Sequence, residues 1–523
     1  MADSTRSLSR RALLRAAPAA VATGLAGCPG RGGDGGADTG TTTATPVSTP
    51  SLPNVEKRTV QRDRAAIVHV STVHTGTISW PAYELVVPEG LRLVGVWEGE
   101  GERFTFERDD TFRLESPPEG TFRGTWDLQD GVLRLALESG GTLRYRATVE
   151  ETTEGFRLTL SDGASTFTYR RTRSGFDSGD VLEVLERLEL APATGAAATT
   201  SRSDQRAASL GSGFIVTPDG HVVTNAHVVG ADADPRRQLF VRLAADLNQG
   251  LEEGVAENFD VTDVKRAQIE DLLFDKLVGY MLEAAHIEDV ETTHRVLNGR
   301  AGPDEDPAVE SWDGRIKRAG RVMVEADGGR TWGRDVAVLK VDQTHLPTVS
   351  MGDAGAVETG DEVFVIGYPD IGVDSYFEAR ERTLAPTLTS GVVSARRRLT
   401  SGVETIQTDA GVNSGNSGGP VYDDQGEVVG IATFQPAEAD IQQIEFALPI
   451  TEATAMLAEV GVEPRSGDLD TAFDAGLEAY WRGDCETATE RMRRVLELRA
   501  DHPDAQGYID DCEAGRAPGQ SGG

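Results

Sequence analysis

Asn413-Ser414-Gly415-Asn416-Ser417-Gly418-Gly419-Pro420 is the stretch of this chain best suited to covalent chemistry, with Ser417 as the candidate nucleophile. A serine hydroxyl attacks poorly unless a base lies within hydrogen-bond reach and donors await the oxyanion formed on attack. Glycine, lacking Cβ, lets the backbone turn sharply enough for the N–H groups of Gly415 and Ser417 to converge beside that hydroxyl. The candidate base is His227, in Thr224-Asn225-Ala226-His227-Val228-Val229. It follows the strand-like run Phe214-Ile215-Val216 and a hairpin turn at Pro218-Asp219-Gly220. Asp335, at the mouth of the alternating apolar run Val336–Val341, is the candidate partner of the imidazole. The chain order His, Asp, Ser is one of several that build the same geometry.

Three further runs accompany these motifs in order: Gly211-Ser212-Gly213-Phe214, Thr389-Ser390-Gly391-Val392-Val393-Ser394 and Phe446-Ala447-Leu448-Pro449-Ile450. Over roughly residues 206–460 the set resembles trypsin-like serine proteases of the HtrA/Deg type. The resemblance implies two six-stranded β-barrels with the triad His227, Asp335 and Ser417 in the cleft between them, and an oxyanion hole at Gly415, Asn416 and Ser417. In that fold the position six before the nucleophile lies near the bottom of the S1 pocket, and here it is Gly411, beside Val412. Ala432, Thr433 and Phe434 would form a wall. With no carboxylate there, a small apolar P1 residue is expected rather than Arg or Lys. The function implied is that of a serine endopeptidase acting on protein or peptide substrates outside the cytoplasm; the competing class is a lapsed protease fold kept as a binding or sensor lipoprotein.

Composition narrows the partners. The net charge is −34 over 523 residues, which excludes a general nucleic-acid-binding surface. Lysine stands only at 57, 265, 276, 317 and 340. This acidic, lysine-poor balance resembles that of proteins from extreme halophiles and implies easier unfolding in dilute buffer than in molar salt. No cofactor is indicated. His286 and His294 lie among acids without a metal-ligand spacing, so no metal is expected.

The N-terminus reads as an address. Ser9-Arg10-Arg11-Ala12-Leu13-Leu14 opens an apolar run ending at Leu25-Ala26-Gly27-Cys28, a twin-arginine export signal with a lipobox over residues 1–28. By resemblance Cys28 would carry lipid and tether the protein to the outer face of the cytoplasmic membrane. Residues 29–55, rich in Gly, Thr, Ser and Pro, read as a disordered linker.

Beyond the linker, residues 56–80 read as a possible first strand of the protease, after which its expected continuation, Leu210-Gly211-Ser212-Gly213-Phe214, is long delayed. Residues 91–172 fill the gap with short strands separated by turns such as Asp130-Gly131, and resemble a small lipocalin-like β-barrel inserted in the protease. Between His227 and Asp335 a second insert, 252–298, carries a helical stripe through Ile269, Leu272, Leu273, Leu277, Met281 and Leu282. The fold class is therefore mainly β: a double-barrel protease with a barrel insert, an acidic helical insert and a helical tail. That tail, residues 467–515, resembles one tetratricopeptide repeat with a capping helix, a type of unit that commonly binds a peptide or protein partner. Cys485 and Cys512 are the remaining cysteines; outside the cell they read as a disulfide worth about 3 kcal/mol, with two buried thiols as the alternative.

Overall fold

The computed structural model describes residues 52–86, 89–153, 155–174, 181–194, 198–258, 263–300, 308–326, 329–368, 386–412, 415–434 and 445–518. The export signal, Cys28 and nearly all of the linker lie outside the described residues. The described chain divides into two compact units, one of residues 75–205 and 236–290, the other of 52–74, 206–235 and 291–518.

In the first unit, eight strands from Gly95–Gly99 to Thr166–Ser174 close into an antiparallel barrel in simple chain order. Inward and outward side chains alternate: Phe104 and Phe106 are buried, while Arg103 before them is exposed and Thr105 between them is only partly buried. The barrel spans 95–174 rather than the expected 91–172. Helix Val181–Arg187 follows, and its buried Leu185 packs with Ile269 and Leu273 of helix Asp263–Ala284. Lys276 donates to the carbonyls of Glu186 and Leu188 at 3.0 and 2.6 Å, capping the end of that short helix.

The helical reading of 252–298 needs correction at both ends. Helices run over Pro235–Asn258 and Asp263–Ala284, while His286–Arg300 is a strand. The β-branched positions Ile287, Val290, Thr292, Thr293 and Val296 favour the pleated conformation there, and Val296 is buried in a core.

The second unit holds the site. Its first half is a seven-stranded sheet ordered Ala308–Asp313, His286–Arg300, Ile67–Pro81, Thr200–Ile215, His221–Thr224, Ala337–Lys340, Arg315–Ala319. The resemblance implies six strands; here three of the seven, His286–Arg300, Ala308–Asp313 and Arg315–Ala319, come from the segment between His227 and Asp335. Ile67–Pro81 lies next to Thr200–Ile215, and Ile215 N donates to Ala66 O at 2.9 Å. Residues 55–63, expected as part of a strand, are instead a helix, because Asn54 caps it by accepting from Lys57 N at 3.2 Å with Glu56 in the first turn. The second half is a closed six-stranded barrel, Glu362–Gly367 through Glu445–Pro449. One core runs through both halves: Ile67, Phe214, Val336 and Val338 meet Phe364, Ile366, Tyr422 and Ile431.

Helices Asp468–Trp481, Cys485–Leu498 and Ala505–Glu513 form the tail around Phe473, Leu477, Met492 and Tyr508. Its closing contacts are polar. Asp470 accepts from Thr348 N and Oγ1 at 2.8 and 2.9 Å, Trp481 Nε1 donates to Gln61 at 2.8 Å, and Arg64 pairs with Asp504. Three short helices have little core of their own, and here they are seated on the same unit as the seven-stranded sheet. Cys485 and Cys512 are disulfide-bonded with Cα atoms 5.3 Å apart, 27 residues apart in sequence. A Cys485→Ser/Cys512→Ser variant is expected to lose about 3 kcal/mol of tail stability. Denaturant unfolding at equal slope checks this; an unchanged midpoint would show that docking alone holds the tail. Among the described residues no helix is long and apolar enough to cross a membrane.

Candidate active site

Asp335 sits just before strand Ala337–Lys340, which pairs antiparallel with His221–Thr224, so the residues before the one strand lie beside those after the other. That pairing brings the base candidate to the acid candidate across 108 residues of chain. His227 Nδ1 lies 2.6 Å from Asp335 Oδ2, and His227 N donates to Asp335 Oδ1 at 2.9 Å. The imidazole is thus oriented through its ring and its backbone by one carboxylate.

Asp335 is fully buried. Burial alone would raise its carboxyl pKa; the charge of His227, its hydrogen bond and that of Thr433 outweigh this and hold it below the usual carboxylate range. Thr433 Oγ1 donates to Asp335 Oδ2 at 2.7 Å, and Asn225 Nδ2 donates to the Asp335 carbonyl at 2.7 Å. The acid is therefore ionised and saturated with donors, which is the state that favours a proton on Nδ1 and leaves Nε2 free as the base.

Ser417 lies in the turn between strands Glu404–Thr408 and Pro420–Tyr422. Gly415 and Gly418 adopt φ of 97° and 85°, the left-handed region that glycine tolerates. A Cβ at Gly418 would overlap the Ser212 carbonyl and Thr224 Oγ1, so glycine is required by space as well. Ser212, fully buried, holds this turn from the other half of the fold. Its Oγ donates to Gly415 O at 2.7 Å and accepts from Tyr368 N at 2.8 Å, while its N–H donates to Ser417 O at 2.7 Å. The Ser417 hydroxyl donates to the Thr433 carbonyl at 3.0 Å, and among the described residues no hydrogen bond joins it to His227.

Of the residues expected around the S1 pocket, the structure brings only part together. Val412 and Ala432 are 2 % and 0 % exposed and belong to the apolar core of the second barrel. Strand alternation is the reason: with Ala432 turned inward, Thr433 turns the other way, and its hydroxyl reaches Asp335. Gly411 accepts from Thr389 Oγ1 at 2.7 Å through its carbonyl, and a Cβ there would meet only Thr389 Cγ2, at 3.9 Å. The Phe434 side chain lies outside the described residues, as do Asn413 and Ser414. Reading the sequence missed two roles: Ser212 as the clamp and Thr433 as a donor to the acid. Ser212 stood in a quoted motif, but no local signal says what a serine between two glycines will touch.

Residues 211–431 match the trypsin-like peptidase domain family. Among curated relatives, a probable periplasmic DegP-like serine endoprotease of Pseudomonas putida strain F1 is 32 % identical over 253 residues, 48 % of this chain and 34 % of that protein. The Do-like serine protease HtrA of Bacillus subtilis is 35 % identical over 135 residues, 24 % of this chain and 28 % of its own. The chain thus spans about a third of the length of these relatives. A solved serine endoprotease from Yersinia pestis covers 48 % of the chain and 57 % of its own at 22 % identity, with a TM-score of 0.27. The matched residues 211–431 include His227, Asp335 and Ser417; the small barrel and the helical tail lie outside them.

Proposed function

We propose that the chain is an exported serine endopeptidase that cleaves proteins outside the cytoplasm through an acyl-enzyme on Ser417. The observation that supports this best is the continuous network from Thr433 through Asp335 to His227, facing a serine on a turn clamped by Ser212. In the reaction, Ser417 Oγ leaves the Thr433 carbonyl, bonds to the substrate carbonyl carbon and passes its proton to His227 Nε2. The ionised Asp335 stabilises the imidazolium, and the N–H groups of Gly415 and Ser417 receive the oxyanion. The imidazolium then protonates the departing amine, and water repeats the sequence to release the acid. Gly411 places no charge beneath the substrate side chain, which supports a small apolar P1 residue; efficient cleavage after Arg in a peptide library would refute that preference.

The export signal and Cys28 support a lipid-anchored protein reached by the twin-arginine route, and the relatives named periplasmic support export. The acidic, lysine-poor composition supports assays in molar salt. Casein hydrolysis by the full chain, with a fluorophosphonate probe forming its adduct on the peptide that contains Ser417, tests the reading. The hydroxyl contact of Ser417 with Thr433 instead of His227 favours the lapsed-protease alternative, a binding or sensor lipoprotein with the tail as a protein-partner site. No adduct and no hydrolysis would decide for it.

Ser212 is a positioning residue in this scheme. Ser212→Ala is expected to lower kcat about 10–10²-fold with KM little changed, because the Gly415 carbonyl loses the donor that sets the peptide plane leading into Asn416. Recovery in Ser212→Thr would assign the loss to the hydroxyl. An unchanged kcat in Ser212→Ala would show that the turn keeps its shape unaided.

A further inference from the structure

An eight-stranded barrel is just wide enough for side chains to fill its interior, and this one is filled at one end only. Trp97, Phe106, Leu133 and Leu158 are buried to 1 % or less, and Trp97 Nε1 donates to Leu93 O at 2.6 Å, sealing that end. Towards the other end, other side chains of the barrel strands, Leu114, Leu137, Tyr145 and Phe167, are only partly buried, and Leu143 is 38 % exposed. They border a cavity of about 310 Å³. Apolar side chains left half-buried around a void are a cost unless something covers them.

The cavity also holds a carboxylate. Glu102 is the first inward residue of strand Glu102–Phe106, with Phe104 next on the same face. Its Oε1 accepts from Ser116 Oγ at 2.6 Å and its Oε2 from Tyr169 Oη at 2.7 Å. Ser116 and Tyr169 are 7 % and 2 % exposed, so both donors are fixed by the barrel wall. Burial and then the Glu102 hydrogen bond push the Tyr169 phenol well above its ordinary pKa, which keeps it a donor. Among the described residues no arginine or lysine pairs with Glu102, although Arg103 next to it in sequence, on the outer face, pairs with Glu98. A carboxylate offers about four acceptor sites, and two are filled. Glu102 lines the cavity beside Phe104, Leu114 and Leu135.

We propose that this chamber binds a small apolar primary amine, its ammonium group on Glu102 and its tail among Phe104, Phe112, Leu135 and Leu160. The charge sets the head: an ammonium supplies three donors and the missing positive charge, whereas a carboxylic acid would meet Glu102 as a like charge. The volume sets the size. At roughly 30 Å³ per water-sized group, it takes on the order of ten non-hydrogen atoms. The site is independent of Ser417, since every residue in it belongs to the inserted barrel.

Isothermal titration of the full chain at neutral pH with n-octylamine, and separately with n-octanoate, tests this. Saturable one-site binding of octylamine is expected, with octanoate at least about tenfold weaker and Glu102→Gln weakening octylamine about tenfold or more. Glu119→Gln, at a carboxylate bordering the cavity that makes neither contact, should leave the affinity unchanged. A circular-dichroism melt confirms that each variant is folded. Equal affinity for the amine and the acid would overturn the proposal, and so would an undiminished affinity in Glu102→Gln or the absence of saturable octylamine binding to the wild type. A loss on Glu119→Gln as large as that on Glu102→Gln would also overturn it, by moving the head group to the surface.

Discussion

Ser417→Ala is expected to cut casein hydrolysis by on the order of 10⁶-fold in kcat, the scale lost when a triad nucleophile is removed. Among the described residues of the turn nothing else can replace it: Gly415, Gly418 and Gly419 carry no side chain, and Asn416 is buried. The fold should survive the change. The Ser417 hydroxyl makes one hydrogen bond, to the Thr433 carbonyl, and a lost bond of that kind costs about 1 kcal/mol. Hydrolysis measured beside a thermal melt separates the two effects. Activity retained above one per cent of wild type in a variant that melts normally would place the chemistry elsewhere.

Asp335→Asn is expected to lower kcat by about 10⁴-fold while leaving KM nearly unchanged. The geometry explains why an isosteric amide fails. Oδ1 accepts from His227 N, and Oδ2 accepts from Thr433 Oγ1 beside His227 Nδ1. An amide NH₂ on the first position would face a backbone donor. On the second it faces Nδ1, which must then accept, so the ring proton moves to Nε2 and the base is blocked. Thr433 can turn its hydroxyl to suit, but the ring cannot serve both roles. Stability should follow pH in a definite direction. The folded pKa of Asp335 is depressed, so its contribution is fully present above the unfolded value of about 3.9 and is lost as pH falls through the folded value. Asp335→Asn should therefore melt lower than wild type at pH 7, and the gap should close in strong acid. A kcat within tenfold of wild type would remove Asp335 from the orienting role.

The inserted barrel and the tail differ in how far their local patterns reach. Alternation along Phe104–Phe106 and Val132–Leu137 marks strands because each strand buries one face, so the barrel was legible strand by strand. Its half-empty interior was not, since whether inward residues meet across a barrel depends on closure rather than on any one strand. Residues 56–63 show the opposite failure. Asn54 followed by Glu56 is a local helix signal that outweighs the resemblance of this stretch to a protease strand. In the segment 286–298, the preceding helical stripe was extended past Ala284 although β-branched residues had already changed the period.

What the sequence by itself determined is the chemistry on offer: a serine among glycines, a histidine after a hairpin and an aspartate before an apolar strand, each recognisable because its local backbone demands are written in its neighbours. Only the tertiary structure decided which groups meet. The pairing of His221–Thr224 with Ala337–Lys340 sets His227 against Asp335, the alternation after Ala432 turns Thr433 to the same carboxylate, and Ser212 reaches across from one half of the fold to hold Gly415. Hydrogen bonds between residues a hundred or more apart depend on packing to a few tenths of an ångström. No local pattern carries that information, because it resides in the shared core that joins Phe214 and Val338 to Ile366 and Ile431.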